Sequence, residues 1–103
     1  LSEFPFKILR IFTLSVFNSN TIRGGHAHKK CWQAFLSNSE NTSLFYYDKS
    51  GLKKEILLSQ KFCLIVPPQN WCEVMFRDKS ATVTVLASEL YDEHDYIYDL
   101  PNS

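Results

Sequence analysis

Apolar residues run along this chain in short stretches rich in β-branched and aromatic side chains, with little of the three-and-four spacing that marks a buried helix face. The stretches predict strands over residues 6–14 (FKILRIFTL), 26–37 (HAHKKCWQAFLS), 42–48 (TSLFYYD), 52–58 (LKKEILL), 62–66 (FCLIV), 71–77 (WCEVMFR) and 81–88 (ATVTVLAS). Asp48-Lys49-Ser50-Gly51 reads as a hairpin turn, with Gly51 at the position that needs φ > 0. Pro67-Pro68 cannot donate ladder hydrogen bonds, so it closes the strand before it. The acidic stretch from Glu89 to Asp99, carrying Tyr91, Tyr96 and Tyr98, reads as a helical turn or a packed tail. Many short strands without intervening helices indicate an all-β antiparallel sandwich or barrel. No internal repeat or low-complexity linker interrupts it, so residues 1–103 are expected to form a single domain.

Composition narrows the picture. A chain of 103 residues buries ~65% of its unfolded surface, enough for one thin core. Trp32, Phe35, Phe45, Trp71, Phe76 and Val83 are the candidates to fill it. Eleven basic residues balance eleven acidic ones, so neither nucleic acid nor an anionic membrane is an expected partner. No apolar run approaches the ~18 residues of a membrane span. Cys31, Cys63 and Cys72 are odd in number and lie in apolar or aromatic surroundings. They read as reduced, buried thiols of a cytoplasmic protein, and no signal peptide is evident. The chain starts at Leu1 without an initiator Met, so further N-terminal sequence is expected to precede it.

The densest polar constellation is Arg23-Gly24-Gly25-His26-Ala27-His28-Lys29. On an extended strand His26 and His28 share a face, because side chains alternate with period two. They suit a site as well as they suit a solvated pair. Gln33, five residues beyond His28, falls on the other face of a regular strand, so it joins them only if a bulge or bend intervenes. Arg23 precedes a glycine pair where backbone can approach a ligand closely, and its guanidinium can fork onto a phosphate or diphosphate. A metal at the histidine pair lacks partners nearby, since a further His and a carboxylate are replaced by Gln33 and Cys72; no metal is expected. A neutral His, with an ordinary pKa of ~6.5, is instead matched to removing a proton beside a ketone. A second His or a Tyr can donate to the enolate oxygen, and the reaction then needs no cofactor. His94, in an acidic run, reads as solvated.

These residues resemble the WxcM-like cupin family of sugar 3,4-ketoisomerases, which act on dTDP-4-keto-6-deoxyhexoses. The matching pieces are Pro5–Arg10, Arg23–Lys30, Gln33, Pro67–Glu73 and Leu86–Ile97, in the family's order and covering nearly all of the chain. The resemblance implies a cupin-type jelly roll, usually dimeric, that moves a keto group from C4 to C3 in deoxysugar synthesis for bacterial surface glycans such as lipopolysaccharide. It implies His28 as proton shuttle between C3 and C4, His26 as its support on the sugar, and Arg23 on the substrate. Arg10, Gln33, Cys72 and Trp71 follow as substrate-lining positions. The sequence departs from the family's pattern where Trp71-Cys72-Glu73 replaces Trp-His-Glu, where Phe12 and Thr13 stand in place of a Tyr, and in lacking the family's first strand. An impaired nucleotide-sugar-binding cupin, or an epimerase on a related keto sugar, are the alternatives these departures leave.

Overall fold

In the computed structural model, which describes residues 4–48 and 50–99, the alternating pattern resolves into nine strands. They are β1 (Arg10–Leu14), β2 (Thr21–His28), β3 (Gln33–Ser37), β4 (Thr42–Tyr47), β5 (Lys53–Leu57), β6 (Leu64–Val66), β7 (Trp71–Phe76), β8 (Val83–Ala87) and β9 (Tyr96–Ile97). A 3-10 turn at Glu93–Asp95 precedes β9. One antiparallel sheet has the order β1-β8-β3-β6 and the other β5-β4-β7-β2-β9. Apart from the β4–β5 hairpin, every consecutive pair of strands crosses from one sheet to the other, which is the jelly-roll arrangement. Among the described residues no helix is long and apolar enough to cross a membrane.

The core lies between the sheets. Register aligns Phe12, Val85, Phe35 and Leu64 in one row across the first sheet, while Cys72, Val74 and Phe76 of β7 face them from the second. On β8, Val83, Val85 and Ala87 are sealed while Thr84 and Leu86 are half-buried, the period-two signature of a strand with one face inside. Fully burying a side chain such as Phe76 or Leu44 contributes about 1.5–3 kcal/mol. Trp32 and Phe45 are only half-buried, and the Lys53 ammonium sits 4.5 Å from the Phe45 ring centroid. Cys31 and Cys72 are buried as expected; Cys63 is half-buried, and all three are free thiols.

Several strand expectations need correction. Residues 26–37 form two strands in different sheets: the chain leaves the second sheet after His28 and enters the first at Gln33. Cys31 and Trp32 keep the apolar pattern going through the crossover, which hides the break in the sequence. Distant side chains hold it, with Asp95 accepting from the Lys30 and Cys31 amides and Ser88 Oγ from the Trp32 amide. Conversely, Thr21–Gly25, outside any strand expected from the sequence, belongs to β2. The first strand begins at Arg10, and the tail supplies both a turn and a strand. At the 48–51 turn Gly51 has φ 85° and its amide bonds the Asp48 carbonyl; Lys49 lies outside the described residues.

The glycine pair forms a β-bulge. Gly24 pairs with Glu73 and His26 with Cys72, leaving Gly25 as the extra residue. Arg23 pairs with Val74, so Arg23 and His26, three residues apart, both project to the face of Val74 and Cys72; without the bulge they would point oppositely. Gly24 holds φ +95°, and a Cβ there would lie 3.2 Å from the Cys72 carbonyl oxygen. Gly24→Ala is therefore expected to lower stability by about 1–3 kcal/mol, read as a shift of the urea midpoint. An unchanged midpoint would show that the bulge does not depend on glycine.

Candidate active site

The sheets enclose a cavity of about 400 Å³. Phe12, Leu14, Phe35, Val74 and Val85 give it apolar walls, and Arg23, His26, Gln33, Cys72 and Tyr96 bring polar groups to it. The bulge aims Arg23 and His26 inward. The crossover to the opposite sheet, rather than a bend in one strand, brings Gln33 in. Arg23 is exposed, and its Nη1 donates to the Ser15 carbonyl at 2.9 Å, which holds a cation beside the cavity without neutralising it.

His28 is 5% exposed and does not line the cavity itself. Its ring contacts two that do: His26, edge-on with centroids 4.9 Å apart, and Tyr96 at 4.6 Å. His26 and Tyr96 are 4.5 Å from each other, so the three rings form one cluster with His28 at the back. His28 Nδ1 lies 3.1 Å from Asp95 Oδ2. Because a carboxylate accepts, this contact sets the proton on Nδ1 and leaves the Nε2 lone pair free. Nε2 is buried and has no hydrogen-bond partner among the described residues. Asp95 is itself fixed, its Oδ1 accepting from the Lys30 amide at 2.8 Å and its Oδ2 from the Cys31 amide at 3.2 Å.

Burial sets the protonation of both histidines. It lowers the His26 pKa from 6.5 to about 4, helped by the neighbouring His28. Burial also lowers that of His28, outweighing the hydrogen bond and charge of Asp95, while the Arg10 guanidinium adds to the depression. Both rings are thus neutral near pH 7. Cys72 is pushed up to about 12 by burial and by Glu73, so it faces the cavity as a neutral thiol.

Two expected lining residues stand elsewhere. Arg10 places its guanidinium 4.7 Å from the Phe12 centroid and 5.8 Å from that of Tyr91, and acts on the site through its charge. Trp71 neighbours the inward Cys72 on β7, so alternation turns it to the outer face. There it packs 3.8 Å from the position a Gly25 Cβ would take, with its indole N–H 3.5 Å from Glu73 Oε2. His94 is solvated as expected, with an 88% exposed side chain. Sequence reasoning gave Asp95 no role and left Tyr96 undecided. Asp95 lies 67 residues from His28, and no local spacing signals that pairing.

Residues 1–102 match the FdtA family, described as WxcM-like, C-terminal. The chain is 32% identical over 98 residues to a TDP-4-oxo-6-deoxy-α-D-glucose-3,4-oxoisomerase of Aneurinibacillus thermoaerophilus, covering 95% of this chain and 70% of that protein. Its fold superposes with TM-score 0.84 on QdtA, a sugar 3,4-ketoisomerase from Thermoanaerobacterium thermosaccharolyticum in complex with TDP, at 30% identity over 93% of this chain and 70% of that one. With WlaRA, a TDP-fucose-3,4-ketoisomerase from Campylobacter jejuni, the TM-score is 0.83 and the identity 31%, over 92% of this chain and 70% of the other.

The buried neutral histidines predict a pH dependence of stability. Between pH ~6.5 and about 4 the unfolded chain binds protons that His26 in the folded chain refuses, so stability falls as pH falls through that window. The depressed carboxylates Asp48, Glu55 and Asp78 lose their contributions only lower, below ~4. The urea midpoint is expected to drop from pH ~7.5 to ~5, and His26→Gln to shrink that drop. An equal drop in the variant would assign the effect to other groups.

Proposed function

The chain belongs to the FdtA family, WxcM-like, C-terminal, and from that membership and the ring cluster above we propose that it is a sugar 3,4-ketoisomerase moving the keto group of a TDP-linked 4-keto-6-deoxyhexose from C4 to C3. The observation that carries the reading is the buried His28–Asp95 pair, which leaves one unpartnered imidazole nitrogen on a ring packed against two rings that line the cavity. The diphosphate lies toward Arg23 and the sugar within the cavity.

His28 Nε2 takes the proton from C3, and the Asp95 carboxylate stabilises the imidazolium that forms. The C3–H electron pair becomes the C3–C4 double bond of an enediolate, with the negative charge on O4. Neutral His26 and the Tyr96 hydroxyl are the donors for that oxygen, and the O3 hydroxyl proton passes to O4. His28 then returns its proton to C4, and C3 becomes the ketone. Because burial disfavours His28 as a cation, its imidazolium is the readier to give the proton back. The sugar must reach Nε2 past the edges of His26 and Tyr96, since these two rings face the cavity.

The same reading makes the protein a single cupin domain and a cytoplasmic homodimer, in deoxysugar synthesis for surface glycans such as lipopolysaccharide. Three free thiols support a reducing compartment. Phe12 and Cys72 in the wall favour a second reading, a cupin that binds the nucleotide sugar without turning it over, because a phenyl ring donates no proton and a thiol donates only a weak hydrogen bond.

Proton NMR of TDP-4-keto-6-deoxyglucose in D₂O distinguishes them. Loss of the C3 proton signal with appearance of a 3-keto product is the expected result. His28→Asn is expected to abolish exchange while TDP binding persists, and Asp95→Asn to slow it by roughly 10²–10⁴-fold, because the amide no longer sets the tautomer. Exchange without a 3-keto product would indicate an epimerase, and broadening of the thymidine resonances without exchange the binding cupin. Retained exchange in His28→Asn would remove His28 from the mechanism.

A further inference from the structure

The sequence offers the histidine pair no carboxylate, but the fold does. His28, Cys31 and Asp95, each buried, present one ligand atom apiece within 4.8 Å of one another. The His28 nitrogen facing this group is Nδ1, 3.1 Å from Asp95 Oδ2. The proton relay does not use the Cys31 thiol, whose own hydrogen bond is a 3.3 Å contact to the Trp32 carbonyl. We propose that His28, Cys31 and Asp95 form a site for a thiophilic divalent cation such as Zn²⁺, and that its occupation switches the proton relay off.

Ligand chemistry and charge both favour such an ion. Imidazole, thiolate and carboxylate together suit zinc or cobalt, while magnesium and calcium prefer oxygen-only sets. A doubly charged ion, one thiolate and one carboxylate sum to zero, so the filled site places no net charge in the interior. Ligand atoms up to 4.8 Å apart need to close by about 1 Å to reach bonds of ~2.0–2.3 Å, within the reach of side-chain rotation. The supporting contacts are in place, since the Lys30 and Cys31 amides already orient Asp95. A hollow of about 390 Å³, lined by Glu89, Asp92 and Lys30 among others, reaches Asp95 from outside and gives a cation a way in.

The proton balance explains inhibition. The cation displaces the Cys31 thiol proton to solvent and takes the Nδ1 lone pair, so the His28 ring proton moves to Nε2. Nε2 then carries hydrogen and cannot accept the C3 proton. The inhibitory half of this inference rests on the ketoisomerase reading; the binding half does not.

Cobalt serves as the probe. Adding Co²⁺ to the chelator-treated full chain is expected to produce a thiolate-to-cobalt charge-transfer band in the near ultraviolet that saturates at one equivalent. Cys31→Ser keeps the amide that holds Asp95 but should lose the band. It should also weaken cobalt binding by more than the ~10–100-fold that loss of a supporting contact costs. Cys63→Ser and Cys72→Ser should keep both. Absence of the band at saturating cobalt, its survival in Cys31→Ser, or its loss in either control overturns the site. In the D₂O exchange assay Zn²⁺ is expected to stop the wild-type reaction, a chelator to restore it, and Cys31→Ser to resist. Unchanged exchange in zinc-saturated protein overturns the switch. A chain that binds cobalt through Cys31 but never exchanges refutes the ketoisomerase reading and leaves the metal site standing.

Discussion

The Asp95 carboxylate is the point on which the site hangs. Its oxygens accept from the Lys30 and Cys31 amides and from the His28 ring, and its backbone carbonyl accepts from the Lys29 amide at 2.7 Å. One residue of the C-terminal turn thereby fixes the crossover between the two sheets, the tautomer of a buried histidine and the attachment of β9 to β2. A buried carboxylate is costly unless its lone pairs are filled, and here amides and an imidazole fill them. The same contacts that make Asp95 tolerable in the interior leave His28 Nε2 without a partner, so structural satisfaction of one group creates chemical availability in the next.

The bulge at the glycine pair is the second constraint, and it acts through parity. Arg23 and His26 would flank the sheet on opposite faces in a regular strand; the extra Gly25 brings both to the cavity. The cluster of His26, His28 and Tyr96 then gains its character from burial. Desolvation keeps both imidazoles neutral, suited to accept and donate protons and not to bind anions, and leaves Arg23 as the cavity's permanent cation.

Phe12 and Cys72 both face the cavity, one as an apolar ring and the other as a neutral thiol. Tyr96 contacts both histidines from a third direction, so the pocket retains a phenol although the first strand supplies none.

The sequence by itself determined the all-β class and most of the strands, because period-two burial is written locally: VTVLA on β8 and WCEVMF on β7 can hardly be read otherwise. It also determined the Arg23–His28 constellation and, through the family's motif, the jelly roll. Where apolar residues ran on through a crossover, as at Cys31 and Trp32, it misplaced the break, since local hydrophobicity does not say which sheet a residue joins. Tertiary structure alone decided that Gln33 shares a cavity with His26 from the opposite sheet, that Trp71 turns outward while Cys72 turns in, and that Asp95 meets His28 across 67 residues. The physical reason is that a jelly roll sends nearly every consecutive strand to the other sheet. The neighbours that set a proton's position are therefore chosen by topology, and spacing along the chain records almost nothing of them.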